Sequence, residues 1–183
     1  MSQLTSTKQS VLIFDNDKVI KYYSVQNRLN IDIIPLIFNY YTSLGLGVDY
    51  AQTNYQRYVM FKSVFPIVNT DIELDDHVIN NVRNNVSLAT KQWRDNFVRR
   101  IELFDRRITD VQIRCIDVRQ GNVFKFRDHF LIVDVDSFGF VCYDCNHKIV
   151  DPNEIAIKQL KLRRCKNDRY GVCLNEYDHL WQY

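Results

Sequence analysis

The stretch VINNVRNNVSLATKQWRDNFVRRIELFDRRITDV, residues 78–111, decides the fold that the sequence predicts. Its apolar residues recur every third or fourth position, which places them along one face of an α-helix. They are Val78, Val82, Val86, Ala89, Trp93, Phe97, Ile101, Phe104, Ile108 and Val111. Asp75 or Asp76 can cap the first turn. The pattern predicts an amphipathic helix of ~35 residues, on the order of 50 Å long.

The polar face of this helix is basic, with Arg83, Lys91, Arg94, Arg99, Arg106 and Arg107 along it. Asp95 precedes Arg99, and Glu102 precedes Arg106, at the spacing that favours ion pairs on a helix surface. We therefore interpret the face as solvated and laced by ion pairs rather than as a phosphate-binding stripe. The formal net charge of +2 does not by itself require an anionic partner.

Upstream of the long helix, the apolar runs Val11–Phe14 and Val19–Tyr23 flank a turn-rich tetrapeptide, Asp15–Lys18. This arrangement predicts a β-hairpin. The apolar stretch Ile33–Leu44 predicts a short buried helix that ends at Gly45. Helical spacing from Ala51 to Phe65 predicts a second helix, which Pro66 would end. Residues 1–120 are thus expected to form a mainly helical lobe with an N-terminal hairpin.

Downstream of Gly121 the apolar residues alternate, and a turn interrupts them at Asp136–Gly139. The pattern predicts a β-meander that leads into Cys142. Asp151-Pro-Asn-Glu154 then provides the cap of a further helix that ends near Cys165. The predicted fold class is α+β, with a second module over residues 121–183. One compact domain is the alternative arrangement.

Four of the five cysteines have the spacing C-x2-C-x19-C-x7-C, formed by Cys142, Cys145, Cys165 and Cys173. Four thiolates suit a closed tetrahedral Zn²⁺ site of the structural kind. Inert buried thiols and a redox CxxC are the alternatives. His147 or His179 could also replace one of the later cysteines as a ligand. Cys115 is interpreted as a buried thiol.

The order of strands, CxxC, helix and later ligands resembles the zinc site of baculovirus IAP repeat domains, over residues 123–180. Cys165 would take the place of the family's histidine ligand, while the family's glycines and tryptophan after CxxC are missing here. The resemblance implies a structural zinc site. In composition, with few Ala, Gly and Pro, the chain also resembles proteins of large insect DNA viruses of the baculovirus type.

Motifs for catalysis are short or missing. Leu12 to Asp17 is similar to the first motif of haloacid-dehalogenase-type phosphatases, in which Asp15 would be the nucleophile and Asp17 the acid and base. Asp134-Val-Asp136 repeats the D-x-D pattern and is interpreted as a coincidence. No P-loop, nucleophile elbow or dinucleotide fingerprint is present in the sequence. The sequence therefore predicts a protein that is not an enzyme.

The expected function is that of a zinc-stabilised viral structural or assembly protein, plausible in a nucleocapsid, that acts through contacts with other viral or host proteins. Tyr177, Trp181 and Tyr183 would anchor such contacts. The alternative is a nucleic-acid-binding late-gene or replication regulator that uses a basic segment. Its residues are Lys158, Lys161, Arg163, Arg164, Lys166 and Arg169. The polar residues Met1–Ser10 predict an intracellular protein of the host nucleus or virion, with no membrane partner.

Overall fold

The structure is a computed structural model that describes residues 3–6, 10–26, 28–102, 111–115, 117–142 and 148–150. The strands and helices follow in the order β1 Gln3–Ser6, β2 Ser10–Asp15, β3 Lys18–Val25, α1 Arg28–Ser43, β4 Asp49–Asn54, β5 Val59–Pro66, α2 Asp76–Glu102, β6 Val111–Cys115, β7 Val123–Phe126, β8 His129–Ile132, β9 Phe138–Cys142 and β10 Lys148–Val150. Neither described helix is long and apolar enough to cross a membrane.

The first half of the chain is built on a five-stranded antiparallel sheet with the order β1-β2-β3-β5-β4. Side chains alternate between the two faces of a strand. In β5 the buried residues are Phe61, Ser63 and Phe65, and their partners across β3 lie on the same face. Tyr23, the partner of Phe61, is buried there too. This face forms one wall of the core.

The two helices provide the rest of the core. Along α1, Ile33, Ile34, Ile37, Phe38 and Tyr41 are buried. Helix α1 packs against α2 and against β9, while α2 packs against β6 and β8. The two helices therefore connect the large sheet to the strands of the second half.

The second half contains two smaller antiparallel sheets. Strands β7 and β8 form a two-stranded hairpin, and β9 lies between β6 and β10 in a three-stranded sheet. The predicted meander is wrong in one respect, because β9 pairs with β6 and not with β8. Residues 133–137, between β8 and β9, do not form a tight turn, and Lys21 of β3 contacts Asp134 and Asp136 within them.

The predicted fold class is wrong. The first 120 residues are not mainly helical, since the described part of them contains a five-stranded sheet beside two helices. Across the described residues, no three His, Cys, Asp or Glu side chains form a group that could hold a metal ion. The protein is rich in antiparallel sheet, and a helical lobe followed by a zinc module is not what the described residues form.

The helix predicted from Ala51 to Phe65 is also wrong. Those residues form β4 and β5, joined by a turn at which the N–H of Tyr55 donates to the carbonyl of Tyr58. The sequence separations of their apolar residues fit the period of a helix, but the residues do not form one. The alternating burial of β5 against the aromatic core on one side decides for a strand.

The long helix is shorter than the sequence predicts. Helix α2 ends at Glu102, residues 103–110 lie outside the described part, and Val111 begins a strand. Asp75 caps the helix, because its carboxylate accepts from the N–H of Val78 at 2.7 Å. On the surface, Asp95 pairs with Arg94, N to O 3.0 Å, whereas Arg99 bonds the backbone oxygen of Asp95.

Candidate functional site

Two aspartates, Asp117 and Asp136, lie just beyond the same end of the three-stranded sheet. Strand β6 ends at Cys115, which pairs with Phe138, the first residue of antiparallel β9. Asp117 follows β6 by two residues, and Asp136 precedes β9 by two residues. The strand pairing therefore places both segments at one sheet end.

A second pair of polar residues stands at the open end of the β7–β8 hairpin. Asn122 directly precedes β7, and Asp134 follows β8 by two residues. Val123 pairs with Ile132, so these two positions are at the same end of the hairpin. The N–H of Val133 also donates to the carbonyl of Asn122 at 2.9 Å.

Lys21 reaches this cluster from the large sheet. It lies in the middle of β3, on the face that carries Tyr23, and its side chain is 14% exposed. Its ammonium group makes an ion pair with Asp134 and lies 3.7 Å from the carboxylate of Asp136. It also lies 4.8 Å from the centre of the Tyr23 ring. Lys21 and Asp134 are 113 residues apart in sequence, so the contact joins the two halves of the protein.

The two carboxylates of this cluster share a proton. Burial, and then a hydrogen bond to Asp134, raise the pKa of Asp136 to about 7, although Lys21 acts in the opposite direction. Burial alone would raise the pKa of Asp134 as well, but the hydrogen bond from Asp136 and the charge of Lys21 outweigh it and lower that pKa. A proton on this pair is therefore held by Asp136 in preference to Asp134.

The loop between β6 and β7 carries the remaining polar residues. The side-chain amide of Asn122 donates to the backbone oxygen of Asp117 at 3.1 Å and to its carboxylate at 3.0 Å. The guanidinium of Arg119 lies 3.5 Å from the same carboxylate. Arg119 also lowers the pKa of Asp134 by its charge. The loop is therefore fixed internally and faces the carboxylate pair.

The thiol of Cys115 lies among these groups. Burial is the main effect that raises its pKa, to about 12, and the charges of Asp117, Asp134 and Asp136 add to it. A thiolate is disfavoured next to three carboxylates. The sequence-based interpretation of Cys115 as a buried thiol agrees with this environment, and the residue is half-buried.

The donor set suits a hard divalent cation held by few protein ligands. Mg²⁺ prefers oxygen ligands and is commonly bound by one or two carboxylates together with water and substrate phosphates. Asp134 and Asp136 supply carboxylates. Asn122, whose carbonyl accepts from the N–H of Val133 next to Asp134, adds an amide side chain to the same end of the hairpin. The two carboxylates suit Mg²⁺ better than zinc, because the neighbouring thiol of Cys115, with its raised pKa, is a poor zinc ligand.

The site that the sequence predicts lies elsewhere. Cys142 is the last residue of β9, and its side chain is not described. Cys145, Cys165 and Cys173, both alternative histidines, and the basic segment with Lys158, Lys161, Arg163, Arg164, Lys166 and Arg169 lie outside the described residues. The zinc ligands and the nucleic-acid segment therefore stay predictions.

The phosphatase alternative receives no support from the geometry. Asp15 and Asp17 are exposed where β2 turns into β3, and Asp15 pairs with Lys18 across the hairpin. The described sheets are antiparallel, whereas that family uses a doubly wound parallel sheet. Asp15 ends a strand, and Asp17 lies in the turn that follows it.

The sequence did contain a signal for the observed site. Asp117 and Asn122 have the D-x-x-x-x-N spacing of a kinase catalytic loop, and an Asp-containing segment lies beyond a short hairpin downstream. Asp134-Val-Asp136, which the D-x-D pattern alone marks as a coincidence, provides that segment. Lys21 has no local signal, because its role depends on contacts across the whole chain.

Comparison with known proteins gives little. No protein-family model and no curated protein matches the chain. Among solved structures, one match is to the amicoumacin kinase hAmiN in complex with AMP-PNP, Ca²⁺ and Ami, with 10% sequence identity and a TM-score of 0.43. The match covers 92% of this chain and 69% of that chain.

The prediction that the chain is not an enzyme is contradicted by this match to a kinase. The likeness is too low to assign a fold or an activity to this chain. The residues of the site must therefore carry any functional proposal.

Proposed function

We propose that the chain binds a nucleoside triphosphate as its Mg²⁺ complex and transfers a phosphoryl group from it. The observation that carries this proposal is the contact of Lys21 with Asp134 and Asp136, beside the loop of Asp117 and Asn122. Phosphoryl transfer needs positive charge on the phosphates, oxygen ligands for the metal and a carboxylate at the attacking hydroxyl. These three kinds of group converge here.

Each residue has a role in this proposal. Mg²⁺, when bound, would neutralise the charge that develops on the phosphates. Asp134 or Asp136, with the Oδ1 atom of Asn122, would hold it. Lys21 would exchange its carboxylate partner for a phosphate oxygen, since an ammonium group binds phosphate as a point charge. Asp117 would orient the acceptor hydroxyl and accept its proton.

The chain departs from the protein-kinase motifs at several positions. Cys115 and Ile116 stand where the H-R-D motif has His and Arg, and Asp136-Ser-Phe-Gly139 has one residue more than D-F-G. Between β1 and β2 the sequence Thr7-Lys8-Gln9 contains no glycine. A glycine-rich cover over the phosphates is thus missing, and we expect nucleotide affinity to depend mainly on Lys21 and Mg²⁺.

Binding can be tested by thermal unfolding of the full chain with the Mg²⁺ complex of a non-hydrolysable ATP analogue. At a hundred times Kd, a ligand stabilises the folded state by about 2.7 kcal/mol, which corresponds to a rise in Tm of about 5–10 °C for a chain of this size. Lys21→Met should abolish the shift. Lys62→Met is the matched control, because Lys62 is on the opposite face of the same sheet, near Tyr22.

Transfer is tested separately by release or transfer of labelled γ-phosphate. Asp117→Asn should abolish transfer and leave the nucleotide-dependent Tm shift unchanged, because Asp117 touches the acceptor and not the nucleotide. Asp128→Asn, at the exposed β7–β8 turn, is the control for loss of one acidic charge. A parent protein with no Mg²⁺-dependent shift at millimolar nucleotide would exclude the proposal.

A structural zinc site is a separate proposal, based on the spacing of Cys142, Cys145, Cys165 and Cys173. It would stabilise the carboxy-terminal part and serve the protein contacts expected of a viral assembly protein. Metal analysis of protein purified without chelator tests it. About one equivalent of zinc, lost in Cys142→Ser together with folded stability, is expected. Less than half an equivalent in the parent would exclude the site.

A further inference from the structure

Helix α1 holds both ends of the segment that carries the two site carboxylates. The hydroxyl of Tyr41 donates to the backbone oxygen of Ile132 and accepts from its N–H, both at 2.9 Å. Ile132 precedes Asp134 by two residues. Near the other end of the helix, the Oδ1 atom of Asn30 accepts from the N–H of Phe138 at 2.8 Å, two residues after Asp136.

These contacts are buried and symmetric about the carboxylates. Asn30 is 2% exposed, and Tyr41 is also 2% exposed. They are 11 residues apart, close to three helical turns, so both project from the same face of α1. Val135, between the two aspartates, is buried as well. The segment from Ile132 to Phe138 is thus fixed to one helix before and after the site.

We infer that Asn30 and Tyr41 are positioning residues, which make α1 the element that sets where Asp134 and Asp136 meet the cation and Lys21. This inference rests on the proposed function of that site. Neither side chain is placed to touch nucleotide or metal, because both bind backbone atoms. Their effect passes through the backbone to the carboxylates, in the way that groups behind metal ligands orient those ligands.

A buried asparagine is costly where a side chain only fills space, because its polar amide is removed from water. Its amide must be hydrogen-bonded on both sides when water is excluded. The same structure contains a second buried asparagine, Asn85 of α2, which donates to the carbonyl of Phe130 at 3.0 Å and to Asn81 at 2.8 Å. Asn85 joins a helix to β8 but does not bracket the carboxylates. It is therefore the matched control for Asn30.

The test compares the parent with Asn30→Leu, Tyr41→Phe and Asn85→Leu. Mg²⁺ affinity is taken as the affinity for the preformed Mg²⁺ complex of a non-hydrolysable ATP analogue, measured by calorimetric titration, and the free energy of unfolding is measured by urea. We expect Asn30→Leu and Tyr41→Phe to weaken Mg²⁺ binding by about 10- to 100-fold. Asn85→Leu should lose comparable stability with less than a twofold change in Mg²⁺ affinity.

The outcomes separate the two claims. If the parent binds Mg²⁺ and the two positioning variants bind it equally well, the inference is wrong and the proposed function stands. An equal loss of affinity in Asn85→Leu would show that general destabilisation is responsible, which also overturns the inference. If the parent binds no Mg²⁺, the proposed function fails, and the positioning role fails with it. Should either positioning variant not fold, the other, which removes a different bond to the same segment, decides.

Discussion

Replacing Asp136 with Asn should stabilise the folded protein at alkaline pH while it damages the site. The pKa of Asp136 is raised to about 7 by burial and by its hydrogen bond to Asp134. In the unfolded chain an aspartate has a pKa of about 3.9. Between these two values the folded state binds a proton that the unfolded state has lost. Stability therefore falls as pH rises from about 4 to about 7, and is constant above that range.

The magnitude is set by the two pKa values. The raised pKa corresponds to a loss of about 4 kcal/mol that is complete near pH 8, of which the smaller part, about 1–2 kcal/mol, has already been lost at pH 5. The side chain is 23% exposed, so solvent screens part of this effect. Asp136→Asn imitates the protonated acid and can still donate to Asp134. Its stability advantage over the parent should thus grow by roughly 2–3 kcal/mol from pH 5 to pH 8.

Urea unfolding at pH 5 and pH 8, with a chelator present, measures this difference. Asp134 does not confuse the comparison, because its pKa is lowered and its contribution is lost only as pH falls below the ordinary carboxylate range. Asp128→Asn, an exposed change of the same charge, should show no such growth. An advantage of Asp136→Asn that is the same at both pH values would refute the shared proton.

Three further predictions concern a buried thiol, a helix cap and a glycine in a turn. Burial raises the pKa of Cys115 to about 12, so its thiol should resist alkylation by iodoacetamide at pH 8 in the folded protein and react after unfolding. Peptide mass spectrometry measures both reactions. Reaction of the folded protein at the rate of a free thiol would contradict the buried environment. Asp75→Ala should cost about 1 kcal/mol in urea unfolding because it removes a helix cap, whereas Asp76→Ala should cost less than half as much. Gly45→Ala should destabilise the protein by about 1 kcal/mol or more, because Gly45 has φ +88° and an added Cβ would lie 3.2 Å from the guanidinium of Arg127. Gly47 has open space around it, so Gly47→Ala should change stability by less than about 0.5 kcal/mol. Equal effects of the two substitutions would contradict this prediction.

The local sequence pattern was sufficient to predict some elements of the fold. The β2–β3 hairpin turns at Asn16 and Asp17, where the sequence predicts a turn, and Asn16 has the positive φ of 51° that such turns require. The apolar stripe of α2, with Val78, Val82 and Val86, lies in the core. The two strands of the hairpin are adjacent in the chain, and α2 carries its own periodicity and its own cap at Asp75, so neither prediction required knowledge of a distant partner.

Local pattern failed where distant partners decide the structure. Tyr55 and Tyr58 have helical spacing, yet they flank the β4–β5 turn, and their rings stack at 4.9 Å. The end of α2 also depends on the downstream chain, because Val111 pairs with Cys142 of β9 and so belongs to a strand. Periodicity describes one face of an element and does not identify the partner that covers that face.

The candidate site was missed for a related physical reason. A D-x-D sequence is common, and nothing near Asp134 and Asp136 in the chain marks them as functional. What distinguishes them is that Lys21, from a different sheet, stands between their charges. Burial raises the free energy of ionised carboxylates, and an arrangement with two of them is stable only with a counter-charge or a retained proton. Lys21 supplies the counter-charge, and the raised pKa of Asp136 favours a retained proton.

Under the proposed function, that arrangement would also let the site exchange its internal partners for a cation. Lys21 and the proton together offset the charge that Mg²⁺ would neutralise, so a bound metal and a triphosphate can replace both without leaving a buried charge unpaired. In the proposed function, Lys21 would gain a phosphate oxygen on giving up a carboxylate, and Asp136 would hold the metal on giving up its proton. The exchange requires the backbone around the carboxylates to stay in place while their partners change. The bonds of Asn30 and Tyr41 to that backbone meet this requirement, because neither involves a group that titrates near neutral pH or binds the ligand.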